Sequence, residues 1–180
     1  MNGAAICDRC VDLASGVLSR EEVAPPPSAA DADVLAAIPH RPPFLFIDRI
    51  LECTADRIRT ERTIRSDEPH FRGHYPGQPL MPGVLLCEAV VQSGAILVSR
   101  RLSDPALASA AASGSVVPVL TRLQDARFKR MVLPGDRVEM EAQIVQQLEN
   151  VYFMKGRASV EGQKALLLEF AVTLAPRASG

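Results

Sequence analysis

Pro82-Gly83-Val84-Leu85-Leu86-Cys87-Glu88-Ala89-Val90-Val91-Gln92-Ser93-Gly94-Ala95-Ile96-Leu97-Val98-Ser99-Arg100-Arg101-Leu102 is the longest apolar stretch of the chain, and its ends read as the ends of a helix. Proline suits the first helical turn, where its missing N–H costs nothing, and two arginines suit the negative C-terminal end. The spacing predicts a helix from Gly83 to about Leu102, and twenty helical residues span ~30 Å. Apolar groups lie on nearly every side of it, so the helix is expected to be surrounded and not laid on a surface. Glu88, Gln92 and Ser93 are the polar interruptions in its middle. Glu88 and Gln92 are four apart and therefore share a face.

On the C-terminal side, small residues from Asp104 to Ser115 read as a loop, and strands follow to the end of the chain. Val116–Leu120 and Asp125–Met131 read as two short strands, and Leu133-Pro134-Gly135-Asp136 as a turn. Val138, Met140, Ala142 and Ile144 alternate along a third strand, and Asn150–Val160 is a fourth. Glu161-Gly162 is a tight turn, and Leu166, Leu168, Phe170, Val172 and Leu174 mark one face of a last strand.

On the N-terminal side, Ser66–Pro82 holds Pro69, Gly73, Pro76, Gly77, Pro79 and Pro82, a density of breakers that predicts irregular loop. Phe44–Glu52 and Arg57–Ile64 before it read as a strand hairpin, the second strand alternating Ile58, Thr60, Arg62 and Ile64 with polar residues. Asp31 is placed to cap a short helix through Ile38, stopped by Pro39, Pro42 and Pro43. One buried helix with antiparallel strands on both sides of it in sequence predicts an α+β domain, a curved sheet wrapped around that helix. Residues 1–30, ending in three consecutive prolines, read as a flexible extension; the folded domain is expected over 31–175, with a tail at 176–180.

Composition narrows the chemistry. At 180 residues and 47% apolar content the chain suits one domain with a real core. Lys plus Arg number 20 against 21 Asp plus Glu, so there is no basic excess for phosphate, and with 4% aromatics and no Trp a nucleic-acid partner is not expected. No run of 18 uninterrupted apolar residues and no basic-then-apolar N-terminus occur, so a soluble, cytoplasmic protein without membrane insertion is expected. Cys7, Cys10, Cys53 and Cys87 are irregularly spaced and read as reduced thiols. The Cys7–Cys10 pair has CxxC spacing but no second pair follows and no strand precedes it, so it is read as coincidental.

Of the three histidines, His40 sits between Pro39 and Arg41 at a helix end and reads as capping or packing. His70 and His74 have the spacing of a helical metal pair, but the breakers around them exclude that helix and no third ligand is in place, so no metal is expected. His74 lies in Gly73-His74-Tyr75-Pro76, shortly before the helix begins. An imidazole near its ordinary pKa of about 6.5 can take a proton at neutral pH. Because Pro82 has no N–H, Gly83 and Val84 offer the first free donors of the helix, which can hold a developing enolate oxygen. Glu88 is the candidate acid; an ordinary Glu, with pKa about 4.3, would need burial to keep its proton, and the apolar Val84, Leu85, Ala89 and Val91 are the setting for it. The other reading pairs Glu88 with an arginine of the sheet.

Five blocks now stand in order: Ile38-Pro39-His40-Arg41-Pro42-Pro43-Phe44-Leu45-Phe46-Ile47-Asp48-Arg49; Gly73-His74-Tyr75-Pro76; Pro79-Leu80-Met81-Pro82-Gly83-Val84; Glu88-Ala89 with Gln92; and Asp125-Ala126-Arg127-Phe128-Lys129-Arg130 with Pro134-Gly135-Asp136. Together, across residues 34–175, they resemble the FabZ-type beta-hydroxyacyl-acyl-carrier-protein dehydratases of bacterial fatty-acid synthesis. The resemblance implies a hot-dog fold, a homodimer as the minimal unit that often assembles as a trimer of dimers, and no metal or organic cofactor. It implies that His74 is the catalytic base and that Glu88 of the partner subunit is the acid, acting on a 3-hydroxyacyl chain carried by acyl carrier protein to leave a trans-2-enoyl thioester and water. It further implies that Gly83, with Val84, binds the thioester oxygen and that Gln92 lines the site beside Glu88. Related isomerising dehydratases carry Asp at the position of Glu88, so simple dehydration is expected. Tyr75 stands for a common Phe, Met131 for a common Pro, and residues 1–30 have no counterpart in compact members. Arg127, Lys129 and Arg130, or Arg100-Arg101, could meet an acidic carrier protein; solvated charge and helix-dipole compensation explain them equally. Two other functions remain open on the sequence: a hot-dog acyl thioesterase, and a noncatalytic acyl-binding partner subunit.

Overall fold

A computed structural model describes residues 30–103 and 116–176. The expected extension with Cys7 and Cys10, the expected loop at 104–115 and residues 177–180 lie outside the described residues. Among the described residues six strands form one antiparallel sheet: β1 (Arg49–Cys53), β2 (Arg57–Thr63), β3 (Val116–Phe128), β4 (Arg137–Leu148), β5 (Val151–Val160) and β6 (Gln163–Pro176). Their order across the sheet is β1-β2-β4-β5-β6-β3, so β1 and β3 are its edges. A short helix, α1 (Ala32–Ala37), precedes the sheet, and the long helix α2 (Gly83–Ser103) packs against β2, β3, β4, β5 and β6. This is the hot-dog arrangement expected from the sequence.

The alternating residues face the helix as their period demands. Val138, Met140 and Ala142 of β4, Tyr152, Met154, Ala158 and Val160 of β5, and Leu166, Leu168, Phe170, Val172 and Leu174 of β6 are all buried. Helix and sheet approach closely where side chains are missing: a Cβ on Gly156 would collide with Cγ1 of Val90, and one on Gly94 would lie 2.8 Å from the Phe170 ring. Length and apolar content alone would let α2 cross a membrane; in the fold it is the core, buried from Leu86 to Val98 except at Glu88. Inside it, Ser93 bonds the carbonyl of Ala89 at 3.0 Å and the Thr60 hydroxyl of β2 at 2.7 Å, so the polar interruption is satisfied.

Turn chemistry follows the sequence closely. Glu161 and Gly162 both take positive φ, 51° and 77°, the pattern of a tight two-residue hairpin. In Leu133–Asp136, Pro134 precedes Gly135 at φ 91° and Asp136 N–H closes on Leu133 O at 3.0 Å. That turn is also tied to the end of β2, since Ile64 N–H donates to Asp136 O and Gly135 N–H to Ile64 O.

Four expectations need correction. Residues Phe44–Asp48 are not strand: β1 starts at Arg49, because the backbone of Phe44 and Phe46 bonds the Gln92 amide instead of a neighbouring strand. The two short strands at 116–120 and 125–131 are one, β3, whose pairing with β6 slips between Leu120 and Arg122 and between Gln124 and Arg127, with Asp125 at φ 51°. Each slip shifts the alternation, which hides the continuity from a period-two reading. The breaker-rich segment is not wholly irregular, since Pro69–Arg72 makes a 3-10 turn with Pro in its first turn. Finally, the first turn of α2 is not surrounded: Val84 is 75% exposed.

Candidate active site

The loop that carries His74 is built from its breakers. Pro76 and Gly77 occupy the middle of a turn closed by Gln78 N–H to Tyr75 O at 2.9 Å, with Gly77 at φ 84° as such a turn requires. Tyr75 itself is left-handed at φ 55°, a conformation that costs a residue with a side chain and occurs at functional sites. Buried Phe71 and Met81 root the two ends, and Met81 N–H donates to Val132 O. The His74 ring is half-buried, set edge-on to Tyr75, and its Nδ1 lies 2.7 Å from the carbonyl oxygen of Leu80. A carbonyl can only accept, so Nδ1 carries the proton and Nε2 is left with a lone pair. That is the tautomer a general base needs.

The same loop is anchored to the sheet by a buried ion pair. Arg62 of β2 donates to Glu68 Oε2 at 2.5 Å, reaches the carbonyl of Leu45, and sits 5.0 Å from the centre of the Phe46 ring; Glu68 Oε1 also accepts Arg65 N–H. Arg62 and Glu68 are both buried.

At the start of α2, Pro82 O accepts the N–H groups of Leu85 and Leu86, while those of Gly83 and Val84 have no acceptor among the described residues. Gly83 is not interchangeable with alanine: a Cβ there would lie 2.7 Å from Cε1 of Phe128, the last residue of β3. One turn on, the Glu88 side chain is 22% exposed. Gln92 Nε2 donates to Glu88 Oε1 at 3.0 Å, so the shared helix face is realised. Fully buried Gln92 also donates to Phe44 O at 3.1 Å and accepts from Phe46 N–H at 2.8 Å, which makes it a clamp between α2 and the 44–46 segment. The expected apolar wall around Glu88 is incomplete because Val84 is exposed, and its titratable neighbour is His40, Nε2 to Oε1 at 3.7 Å, not an arginine of the sheet.

Of the two roles expected for His40, packing holds, since its ring stacks on Phe44, and capping does not. Capping at the end of α1 is performed by Arg41, whose guanidinium bonds the carbonyls of Leu35, Ile38 and His40. The structure brings Glu88, Gln92, His40 and the 44–46 segment together. No hydrogen bond or ion pair joins His74 to Glu88 among the described residues. Arg127 and Arg130 stand near the end of β3, Arg127 exposed beside Asp125 at 3.6 Å and Arg130 bonding Val160 O and Gln163; Lys129 is exposed. Arg100 pairs with Asp33 at 3.0 Å and Arg101 bonds Ala55 O at 2.7 Å, so both hold the C-terminal end of α2.

Fold and site together define a hot-dog protein with an imidazole, a carboxyl group and free helix N–H donors near the start of its central helix. The chain belongs to the FabA-like family: a FabA-like domain matches residues 38–169. It is 39% identical over 141 residues to the 3-hydroxyacyl-(acyl-carrier-protein) dehydratase FabZ of Anaeromyxobacter dehalogenans (strain 2CP-1 / ATCC BAA-258), covering 78% of this chain and 86% of that protein. It is 42% identical over 138 residues to the protein of that name from Symbiobacterium thermophilum, covering 75% and 91%. Among solved structures, the dehydratase heterocomplex ApeI:P from Xenorhabdus doucetiae superposes with a TM-score of 0.67 at 14% identity, over 80% of this chain and 91% of that one. A hypothetical thioesterase with coenzyme A from Streptococcus pneumoniae TIGR4 superposes at 0.52 and 11% identity, over 73% and 90%. At such identities these two likenesses speak for the fold alone.

Proposed function

We propose that this protein dehydrates 3-hydroxyacyl thioesters carried by acyl carrier protein, in fatty-acid or related lipid or polyketide synthesis, giving trans-2-enoyl thioesters and water. The kinship with FabZ dehydratases supports the reaction. The observation that carries the mechanism is the bond from His74 Nδ1 to Leu80 O, which leaves Nε2 free to accept a proton. Nε2 takes the proton from C2 of the substrate, and the charge that builds on the thioester oxygen is met by the N–H groups of Gly83 and Val84. Glu88 gives its proton to the 3-hydroxyl as the C3–O bond breaks, and water departs. In this reading Glu88 comes from the partner subunit of a homodimer, and the acyl chain runs along the interface. Arg127, Lys129 and Arg130 are the proposed docking cations for the acidic carrier, and the protein is proposed to act in the cytoplasm as dimers or trimers of dimers.

The test follows the ultraviolet absorbance of a trans-2-enoyl thioester as it is hydrated. His74→Ala and Glu88→Gln are each expected to lose about a hundredfold or more in kcat, the span of a general acid or base. Equal rates in all three proteins would sink the mechanism. Release of free thiol without interconversion of enoyl and hydroxyacyl products would mark a thioesterase instead.

A further inference from the structure

Two nitrogen donors converge on one oxygen of Glu88. Gln92 Nε2 lies 3.0 Å from Oε1 and His40 Nε2 lies 3.7 Å from the same atom, whereas Oε2 has no partner among the described residues. The Gln92 amide cannot be turned over, because its oxygen is needed by Phe46 N–H at 2.8 Å and its nitrogen by Phe44 O at 3.1 Å. The His40 tautomer is fixed by a different fact. Its Nδ1 is buried and has no hydrogen-bond partner, so a proton there would be a buried donor without an acceptor; the neutral ring carries its proton on Nε2, toward Glu88. The ring is stacked on Phe44 at 6.5 Å, and Arg41 holds the His40 carbonyl at 2.6 Å, so the imidazole is set from both sides.

We propose that His40 is a positioning residue for the acid: with Gln92 it occupies Oε1 of Glu88, so that the carboxyl proton rides on Oε2 and is presented to the departing hydroxyl. The inference rests on the dehydratase reading, with Glu88 as proton donor. In that step the Oε2–H bond breaks, the C3–O bond breaks with its electron pair going to oxygen, and the proton completes a water molecule. The carboxylate left behind has two N–H groups already aimed at Oε1. At 3.7 Å the His40 contact is longer than a hydrogen bond, and such contacts commonly tighten only when the reacting complex forms.

The test compares His40→Gln, His40→Asn and His40→Ala in hydration of a trans-2-butenoyl thioester on acyl carrier protein. A Gln amide nitrogen reaches the position of Nε2 and an Asn amide nitrogen that of Nδ1. His40→Gln is expected to keep kcat within about threefold, while His40→Asn and His40→Ala lose about tenfold or more with KM within about twofold. Equal losses for Gln and Asn, or a loss carried by KM, overturn the proposal; if the alanine variant fails to fold, the two amides decide it. In the Glu88→Gln background His40→Asn is expected to cost nothing further, and an added tenfold loss would show a purely structural role. A Glu88→Gln protein that turns over at the wild-type rate overturns the acid assignment itself, an outcome separate from any behaviour of His40 variants.

Discussion

His70 packs its ring 4.3 Å from that of Phe71, and burial holds its pKa below the ordinary histidine value. Glu68 opposes that shift, Arg62 and His74 add to it, and Nε2 is buried without a partner. The folded protein therefore prefers this imidazole neutral. Above about pH 6.5 neither the folded nor the unfolded chain protonates it and its contribution to stability is complete; as the pH falls the unfolded chain takes the proton first, and stability declines until the pH passes below the folded-state value. His70→Phe keeps a flat apolar ring and removes the titration. Its melting temperature is expected to fall less than that of the wild type between about pH 7.5 and pH 5, and parallel profiles would contradict this. The residue scale also shows where sequence reading stops. His74 could be singled out because glycine and proline surround it just before a helix start. His40 could not, because its meeting with Glu88 joins positions 48 apart and depends on Gln92 folding the 44–46 segment onto α2.

At the scale of elements, the buried Arg62–Glu68 pair joins β2 to the loop that carries His74, so loop placement and sheet integrity are one problem. Removing a single partner leaves an uncompensated charge, whereas removing both leaves a packing question. Glu68→Leu is expected to cost about 3 kcal/mol in denaturant unfolding and to lower kcat, and Arg62→Met combined with it is expected to recover most of the stability. Strictly additive losses would show that the two groups act separately. The pair also marks how far elements are legible in sequence. Strands β4, β5 and β6 are readable because their core-facing residues recur at every second position over most of each strand, and α2 because its apolar run is long and its ends are marked. The β3 strand is not, since two slips of register, the second containing left-handed Asp125, break its period. The Phe44–Asp48 segment departs from expectation for the opposite reason: its apolar pattern is that of a strand, but a side-chain amide 46 to 48 residues away takes the backbone bonds of Phe44 and Phe46.

For the whole molecule, the edge formed by β3 is the decisive surface. Among the described residues its backbone has β6 on one side only, and Val119, Leu120, Leu123 and Phe128 along it are each at least 39% exposed. An open edge bearing apolar side chains is a surface that proteins normally cover, and in the proposed homodimer a second copy related by a two-fold axis would cover it with the same surface. Gly83 lies against Phe128 of β3, so the start of α2 and the proposed interface adjoin. A shared site then makes an arithmetic prediction. In a dimer of one His74→Ala chain and one Glu88→Gln chain, one site receives both substitutions and the other receives neither. Random pairing makes half the dimers mixed, and each mixed dimer keeps one of two sites, so co-refolded variants are expected to recover about a quarter of wild-type activity. If both residues of a site came from one chain, every chain in the mixture would carry a defect and no activity would return. Mixed dimers verified by affinity tags on the two chains, with no gain over either variant alone, would place the whole site within a single subunit.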